Sequence, residues 1–267
     1  MGIIFANIIA IYRRELKSYF ASPFAYVIAG IFWLISGFFF FAILMGPNGL
    51  ITQVALRDQM GMTTPPVDVA YQLLSSFLGV LAFPLAWFIL PMLSMGLYTE
   101  ERKRGTLELL ATSPLTNWAV ALGKLLGVLT FFITMLLPLL VYEAIALGAS
   151  NPPVPLMIWG LGHISLILLA AAILSLGMFL SSLTDSTILA AILTFGLLVL
   201  LWVTDAIASS IGGPVGEALG HLSLLKSYSN LTQGIFEISS FVLFFSYIVL
   251  GVFLTAQAIE TFRFQRS

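Results

Sequence analysis

The sequence predicts an all-α membrane protein of six transmembrane helices, and two observations carry this prediction. Hydrophobic residues make up 60% of the 267 residues and charged residues only 9%, which leaves too little polar surface to cover a soluble globule. The apolar residues also form long runs, and a bilayer core needs about 20 apolar residues per helical span. The predicted spans lie at about residues 24–45, 73–99, 118–147, 156–180, 187–208 and 237–259.

We expect one membrane domain over residues 1–267, with an interfacial helix in 1–22, the six-span bundle in 24–259 and a cytoplasmic tail in 260–267. The chain has no cysteine, which excludes a disulfide framework and thiolate metal sites. The formal net charge of −1 is uninformative, because in a membrane protein the position of each charge matters more than their sum.

The first 22 residues predict an amphipathic helix that lies along the membrane surface. At about 100° per residue, one face of this helix is apolar and the other is polar. The apolar face carries Phe5, Ile8, Ile9, Tyr12, Leu16 and Tyr19, and the polar face carries Asn7, Arg13, Arg14, Lys17 and Ser18. Ser22 and Pro23 then break the helix before the first span. A simple anchor and a segment that transmits motion both fit this pattern.

Lys and Arg residues predict the orientation. One side of the six-span layout receives nearly all of them: Arg13, Arg14, Lys17, Arg102, Lys103, Arg104, Arg263 and Arg266. Lys124 lies just inside span 3, within snorkelling reach of that side. Only Arg57 and Lys226 fall opposite. The positive-inside rule therefore places both termini and the 98–117 loop in the cytoplasm.

The outer loops differ in composition. Residues 46–72 carry Gly, Pro and Asp and predict an irregular segment. Residues 148–155 predict a tight connection. Residues 209–236 are moderately hydrophobic and predict short helices that dip into the outer leaflet.

Prolines predict bends in the spans that flank the 98–117 loop. Pro84 and Pro91 lie in span 2 and Pro138 lies in span 3, and each removes a backbone hydrogen bond. Bends here offer a route for a push on the loop to reach the outer side, although ordinary packing explains them too.

Ionisable residues within or near the apolar runs are candidates for a substrate pathway, because a charge at the bilayer centre is expensive. They are Glu143 in span 3, His163 in span 4, Asp205 near the outer end of span 5 and Glu237 near that of span 6. They fit an outer cavity that meets a polar substrate. They also fit a structural role as interfacial or hydrogen-bonded groups.

Residues 98–117, YTEERKRGTLELLATSPLTN, form the one dense charge cluster in the chain. After Gly105, residues Thr106–Leu110 predict a short amphipathic helix with Thr106 as its N-cap. Pro114 ends it, because proline disfavours the helical conformation at Ser113. Charge alone favours a solvated hairpin that only satisfies the positive-inside rule.

The order of residues in this loop matches a known pattern. The matching residues are Glu100, Glu101, Arg102, Gly105, Thr106, Leu107, Glu108, Leu109, Leu110 and Pro114, followed by Trp118 and Leu122-Gly123-Lys124. Arg13-Arg14-Glu15-Leu16 adds an N-terminal match. The chain thus resembles permeases of the ATP-binding-cassette type 2 superfamily, and among its branches the gliding-motility-associated permease subunits.

The resemblance implies that the loop forms a cytoplasmic coupling helix seated in a separate ATPase subunit. Residues Glu100–Pro114 would make that contact, and Ser182, Thr184 and Asp185 would make a second one, although a plain turn also fits there. Two ATPase subunits would bind ATP and magnesium, and a second permease copy or a homologous permease would complete the path. The resemblance further implies export across a bacterial inner membrane, with membrane lipids around the chain and no nucleic-acid partner.

The chain itself is not expected to be an enzyme or to hold a cofactor or metal. Gly123-Lys124 is followed by Leu125 and lacks the preceding Gly of a phosphate-binding loop. Neither H-E-x-x-H nor G-x-S-x-G occurs, and His163 and His221 have no metal-ligand spacing. The alternative function is an energy-independent channel or an assembly scaffold. The residues do not rank lipids, lipopeptides, polysaccharides or drug-like molecules as substrate.

Overall fold

The computed structural model describes residues 2–61, 68–106, 115–150, 154–213, 216 and 220–264, and the described part is helical with short connections. The helices, numbered in chain order, are α1 Gly2–Ala21, α2 Pro23–Met45, α3 Leu50–Gln59, α4 Val69–Val80, α5 Ala86–Ser94, α6 Gly96–Lys103, α7 Asn117–Gly148, α8 Leu156–Leu183, α9 Thr187–Ile211, α10 Leu224–Thr232 and α11 Ile238–Phe264. A π-helical turn, Leu81–Leu85, joins α4 to α5.

Six helical segments in the described residues are long and apolar enough to cross a membrane, which confirms the predicted all-α class and six spans. They are Pro23–Gln59, Val69–Lys103, Asn117–Gly148, Leu156–Leu183, Thr187–Ala208 and Ile238–Thr261. Several begin at a polar cap. The Asp68 carboxylate accepts from Tyr71 N at 2.9 Å at the start of α4, and the Ser186 hydroxyl accepts from Leu189 N at 3.4 Å at the start of α9.

The prediction for the segments that connect the spans was partly wrong. Residues 46–72 were expected to be irregular, yet α3 occupies Leu50–Gln59 and buries Leu50. A helix satisfies its own backbone groups where few neighbouring groups are available, which favours it over irregular chain. Helix α10 confirms a short helix within residues 209–236, and Ser223 caps it. The tight connection predicted at 148–155 lies partly outside the described residues.

The second span bends at Pro84, as predicted. In the π-helical turn, Phe83 leaves the helical region with φ −146° and ψ 115°. A proline ring clashes with the preceding turn and cannot donate a hydrogen bond, so the backbone must yield there. By contrast, α5 continues through Pro91, and α7 runs from Asn117 to Gly148 through Pro138.

Helix α8 lies at the centre of the bundle and contacts α4, α5, α6, α7, α9, α10 and α11. Small residues allow these helices to approach closely. A Cβ added to Gly177 of α8 would collide with the Ser94 hydroxyl of α5. A Cβ added to Gly251 of α11 would lie 2.6 Å from the Ser175 hydroxyl oxygen of α8.

Helix α1 packs on protein along part of its apolar side. Gly123 and Gly127 of α7 form a groove, and a Cβ on either would lie 2.7 Å from Ile11 Cγ2 or Glu15 Cβ, respectively. Both α1 side chains are buried in this contact, whereas Phe5 remains 67% exposed. The sequence predicted the helix but not this contact, and the position of α1 at a membrane surface stays a prediction.

Candidate functional site

Lys124 is the centre of a buried polar cluster that joins three helices. Its side chain extends from α7 and is only 3% exposed. The Lys124 Nζ lies 3.0 Å from Glu15 Oε1 of α1 and 3.0 Å from Glu101 Oε1 of α6. It also donates to the Leu97 carbonyl at 2.8 Å and lies 5.0 Å from the centre of the Tyr98 ring. We call Glu15, Glu101 and Lys124, with Arg14, the Lys124 cluster.

The charges of the Lys124 cluster balance. Two carboxylates face the ammonium of Lys124, and the Arg14 guanidinium approaches Glu101 Oε1 at 3.5 Å from the exposed side of α1. A buried ion pair contributes little net stability, because desolvation offsets the attraction. The loss of one partner, however, leaves an uncompensated buried charge, so the cluster holds α1, α6 and α7 in one arrangement.

The end of α6 determines where Glu101 and Arg102 lie. The Thr106 N–H donates to the Glu101 carbonyl at 2.9 Å, and the Gly105 N–H donates to the Arg102 carbonyl at 3.2 Å. This is a Schellman ending, which requires a left-handed residue after the helix. Gly105 supplies it with φ +66°.

The C-terminal end of α6 is joined to the C-terminal end of α8. Arg102 Nη1 donates to the Ser182 carbonyl at 3.1 Å. Between α5 and α6 the regular backbone hydrogen bonds of the helix are interrupted. The Ser181 hydroxyl of α8 bonds to backbone groups at this interruption. It accepts from Tyr98 N at 3.1 Å and Thr99 N at 3.3 Å, and donates to the Met95 carbonyl at 2.9 Å. The described end of α6 therefore lies against the end of α8 that precedes the second predicted contact loop.

The predicted residues of the second loop differ in exposure. Ser182 and Thr184 are buried, and Ser182 donates to the Phe179 carbonyl at 2.6 Å, while Thr184 Oγ1 accepts from Ser186 N at 3.1 Å. Asp185 is exposed. The first two side chains therefore shape the loop, and Asp185 is available to a partner.

In the first loop, the predicted residues Leu107, Glu108, Leu109, Leu110 and Pro114 lie outside the described residues, as does most of the predicted coupling helix. The structure places the others: Glu100, Glu101, Arg102, Gly105 and Thr106. Glu100 is exposed and pairs with Arg104 at 3.7 Å. Glu101, in contrast, faces inward.

The structure brings together two of the four predicted pathway residues. Glu143 of α7 and His163 of α8 are buried, with His163 Nε2 3.1 Å from Glu143 Oε2. The Trp159 indole N–H donates to the same oxygen at 2.9 Å, and His163 Nδ1 lies 2.9 Å from the Trp159 carbonyl. The three side chains connect α7 to α8.

The other two predicted pathway residues lie elsewhere. Asp205 is half-buried in α9. Glu237 is exposed just before α11 and accepts from Asn230 Nδ2 at 3.3 Å. A pathway role for any of the four stays a prediction.

Sequence reasoning missed three residues of this site. Lys124 was expected to snorkel towards water, but it is buried between carboxylates. Glu15 could have been found from the sequence, because it is an acidic residue on the apolar side of α1. Ile11 and Tyr19 lie on the same side, four residues before and after it. Ser181 gave no signal, since its partners lie about eighty residues away in the sequence.

A family model described as ABC-2 family transporter protein matches residues 9–267. The chain belongs to the ABC-2 transporter family. The match covers every element of the site described above, from Glu15 of α1 to the loop between α8 and α9. An ABC-2 permease is the membrane component of a transporter and normally works with an ABC ATPase. No curated protein matches this ABC-2 permease significantly.

Proposed function

We propose that this permease couples ATP hydrolysis in a separate ATPase subunit to outward movement of a substrate, with the loop between α6 and α7 as the contact. The observation that carries the proposal is the Lys124 cluster, which ties the helix leading into this loop to α1 and α7. A force on residues 104–116 would act on α6 and on the start of α7, and thus on three elements together.

The second loop supports the same mechanism. The Arg102 guanidinium donates to the Ser182 carbonyl, so a movement of α6 would be passed to the end of α8. Asp185 is exposed beside it. We infer that Asp185 and the exposed Glu100 lie on one surface that a partner ATPase covers, with the residues of the predicted coupling helix at its centre.

The bend at Pro84 would serve as a hinge in this mechanism. Helices α5 and α6 lie between the contact loop and the π-helical turn, and α4 continues beyond it. π-Helical turns and prolines interrupt the hydrogen-bond ladder and are places where helices bend. We propose that the α5–α6 segment tilts against α4 when the ATPase subunits close.

The assembly we propose has two permease copies and two ATPase subunits, the latter binding ATP and magnesium. Helices α2 and α9 support the pairing, because their membrane-crossing segments are the least buried of the six in the single chain. Phe38 and Phe41 are exposed on α2, whereas Phe40 packs on Phe77. The positions of Lys and Arg support an orientation with both termini in the cytoplasm, in a bacterial inner membrane. The sequence pattern of residues 98–117 favours the gliding-motility branch of the family.

Copurification tests the contact. Tagged permease is isolated in mild detergent, and associated ATPases are identified by mass spectrometry, for wild type, Leu109→Asp and the matched control Leu56→Asp. Leu56 is 48% exposed on α3, at the opposite end of the first span from α1. We expect the ATPase with wild type and Leu56→Asp and its loss from Leu109→Asp. Equal recovery with both variants would overturn the proposed contact, and its absence from wild type would favour a channel or scaffold.

A further inference from the structure

A second buried polar cluster lies between α7 and α8, far from the Lys124 cluster. Glu143 follows Lys124 by nineteen residues on α7, which is about 28 Å along a helix axis. Glu143 is 1% exposed, and His163 of α8 is 8% exposed. The contact proposed for the ATPase involves neither side chain.

Both ring nitrogens of His163 face oxygen atoms that accept hydrogen bonds. Nδ1 lies 2.9 Å from the Trp159 carbonyl oxygen, and Nε2 lies 3.1 Å from Glu143 Oε2. A carbonyl has no proton to donate, and neither has an ionised carboxylate, whereas a neutral imidazole carries a proton on only one nitrogen. With a neutral imidazole and an ionised carboxylate, one of these contacts would bring two lone pairs together without a hydrogen between them. The pair therefore has room for one additional proton, which removes this conflict.

The Trp159 side chain favours the imidazole as the place of this proton. Its indole N–H donates to Glu143 Oε2 at 2.9 Å, and hydrogen bonds to an ionised acceptor are stronger than those to a neutral one. The centres of the indole and imidazole rings are 4.8 Å apart, a distance at which an aromatic ring attracts a cation. Both contacts stabilise a cationic His163 beside an ionised Glu143.

The groups around the pair supply no other positive charge among the described residues. Tyr142 of α7 and Tyr228 of α10 are the other ionisable side chains there that interact with Glu143. The Tyr228 hydroxyl donates to the Leu78 carbonyl of α4 at 2.7 Å, and the centre of the Tyr142 ring lies 4.6 Å from that of Phe40 of α2. Phenols are uncharged below about pH 10. Within the described part of the chain, the imidazolium is thus the counter-charge to the carboxylate.

The charged residues of the other helices that pack on α8 lie elsewhere. Asp205 is half-buried in α9, Lys226 is exposed on α10, and Glu237 is exposed just before α11. In the ranges that the structure describes, none of them forms an ion pair with Glu143 or His163, and Glu143 Oε1 is buried without a hydrogen-bond partner. Loss of the proton would therefore leave a buried carboxylate uncompensated, which is costly.

We propose that Glu143 and His163 form a proton-binding site, which carries one proton in the folded permease at pH values where an unfolded chain has released it. The proton lies on the imidazole and holds α7 to α8 through the ion pair with Glu143. In the orientation that Lys and Arg predict, the site lies in the outer half of the membrane, so the proton would come from outside the cell. Proton binding here needs no ATPase, and the proposal is independent of the proposed function.

A proton held in the folded state makes folding depend on pH. An unfolded chain releases the histidine proton around pH 6.5, so above this pH the folded permease holds one proton more. A rise in pH then favours the unfolded chain, and the ratio of folded to unfolded permease should fall about ten-fold for each pH unit. The fall ends at the pH at which the folded pair itself releases the proton. A rise in external pH would thus weaken the contact between α7 and α8.

Nuclear magnetic resonance of the histidine nitrogens in the wild-type permease tests the proposal. The protein is labelled with nitrogen-15 histidine and studied in lipid at about pH 8.5, where an ordinary histidine is neutral. The chain has two histidines, so the exposed His221 is the internal control, and His221→Asn assigns the signals. We expect both nitrogens of His163 to be protonated, whereas His221 should have one protonated nitrogen. A neutral His163 at this pH would overturn the proposal.

Variants test whether Glu143 retains the proton. In Glu143→Gln the amide is uncharged and can donate to Nε2, so His163 should become neutral at the same pH. Glu260→Gln removes an exposed carboxylate of α11 and should leave His163 doubly protonated. Denaturant titration between about pH 7 and pH 8 should show the ten-fold fall for wild type and Glu260→Gln, relative to Glu143→Gln. A doubly protonated His163 in Glu143→Gln, or an equal pH dependence in all three proteins, would also contradict the proposal.

Discussion

At the scale of single residues, Lys124 explains how a charged side chain is accommodated inside an apolar bundle. The ammonium meets two carboxylates, one carbonyl and the face of Tyr98, so its lost hydration is replaced. These partners come from two other helices, Glu15 from α1 and Leu97, Tyr98 and Glu101 from α6. The side chain therefore fixes relative positions, which an apolar residue of similar size would not do.

Lys124→Met should destabilise the permease strongly. Glu15 would remain buried without a cation and Glu101 would keep only the exposed Arg14, and the loss of one partner of a buried pair typically costs about 3–5 kcal/mol. Unfolding in detergent, followed by thermal or denaturant titration, measures the effect. The matched control is Lys226→Met, an exposed lysine on α10, for which we expect a change within about 0.5 kcal/mol.

A compensated variant separates lost charge balance from lost volume. Lys124→Met combined with Glu15→Leu and Glu101→Gln removes the uncompensated charges, and most of the stability should return. If Lys124→Met alone were as stable as wild type, the cluster would not hold the three helices together.

At the scale of elements, the contact between α1 and α7 makes the N-terminal helix part of the bundle. Gly123 and Gly127 are spaced four residues apart, so they lie on one side of α7 and allow α1 to approach. Tyr19 extends the contact, since its hydroxyl donates to the Leu93 carbonyl at 2.7 Å and its ring stacks on Phe131. A helix held this way follows the movements of its neighbours.

Gly127→Val should push α1 away from α7. The added carbons would meet Glu15 Cβ and the backbone of Leu16, and overpacking of this kind costs about 1–3 kcal/mol. A spin label at the exposed position Ser18 should become more mobile, as measured by electron paramagnetic resonance. Gly148→Val is the control, because a Cβ there meets nothing within 4 Å on the same helix. Equal mobility in both variants would show that α1 does not depend on the glycine groove.

The elements that could be predicted from sequence are those set by local chemistry. Long apolar runs determine the spans, and Pro84 determines the bend. Helix α3 was missed because its residues are not strongly apolar and glycine and proline flank it, which are the signals of irregular chain. The partners of Lys124 were missed because they come together only through tertiary packing, which no spacing along the chain reveals.

At the scale of the whole molecule, the same end of the bundle holds the Lys124 cluster and the contact between the end of α6 and the end of α8. Glu101 belongs to the cluster, and its neighbour Arg102 donates to the Ser182 carbonyl. An ATPase that binds between α6 and α7 would therefore act on both features through α6. The orientation of this end decides whether an ATPase can reach it at all.

Single cysteines test that orientation, because the chain has no native cysteine and each introduced thiol is the only one. Met60 follows α3 and is 67% exposed, and Lys103 at the end of α6 is exposed as well. Since Lys and Arg residues concentrate at the Lys103 end, the positive-inside rule predicts that this end faces the cytoplasm. A membrane-impermeant maleimide applied to intact spheroplasts should label Met60→Cys and leave Lys103→Cys unlabelled until the membrane is opened. The reverse pattern would place the loop between α6 and α7 outside the cell, where no cytoplasmic ATPase reaches it, and the proposed coupling would then be wrong.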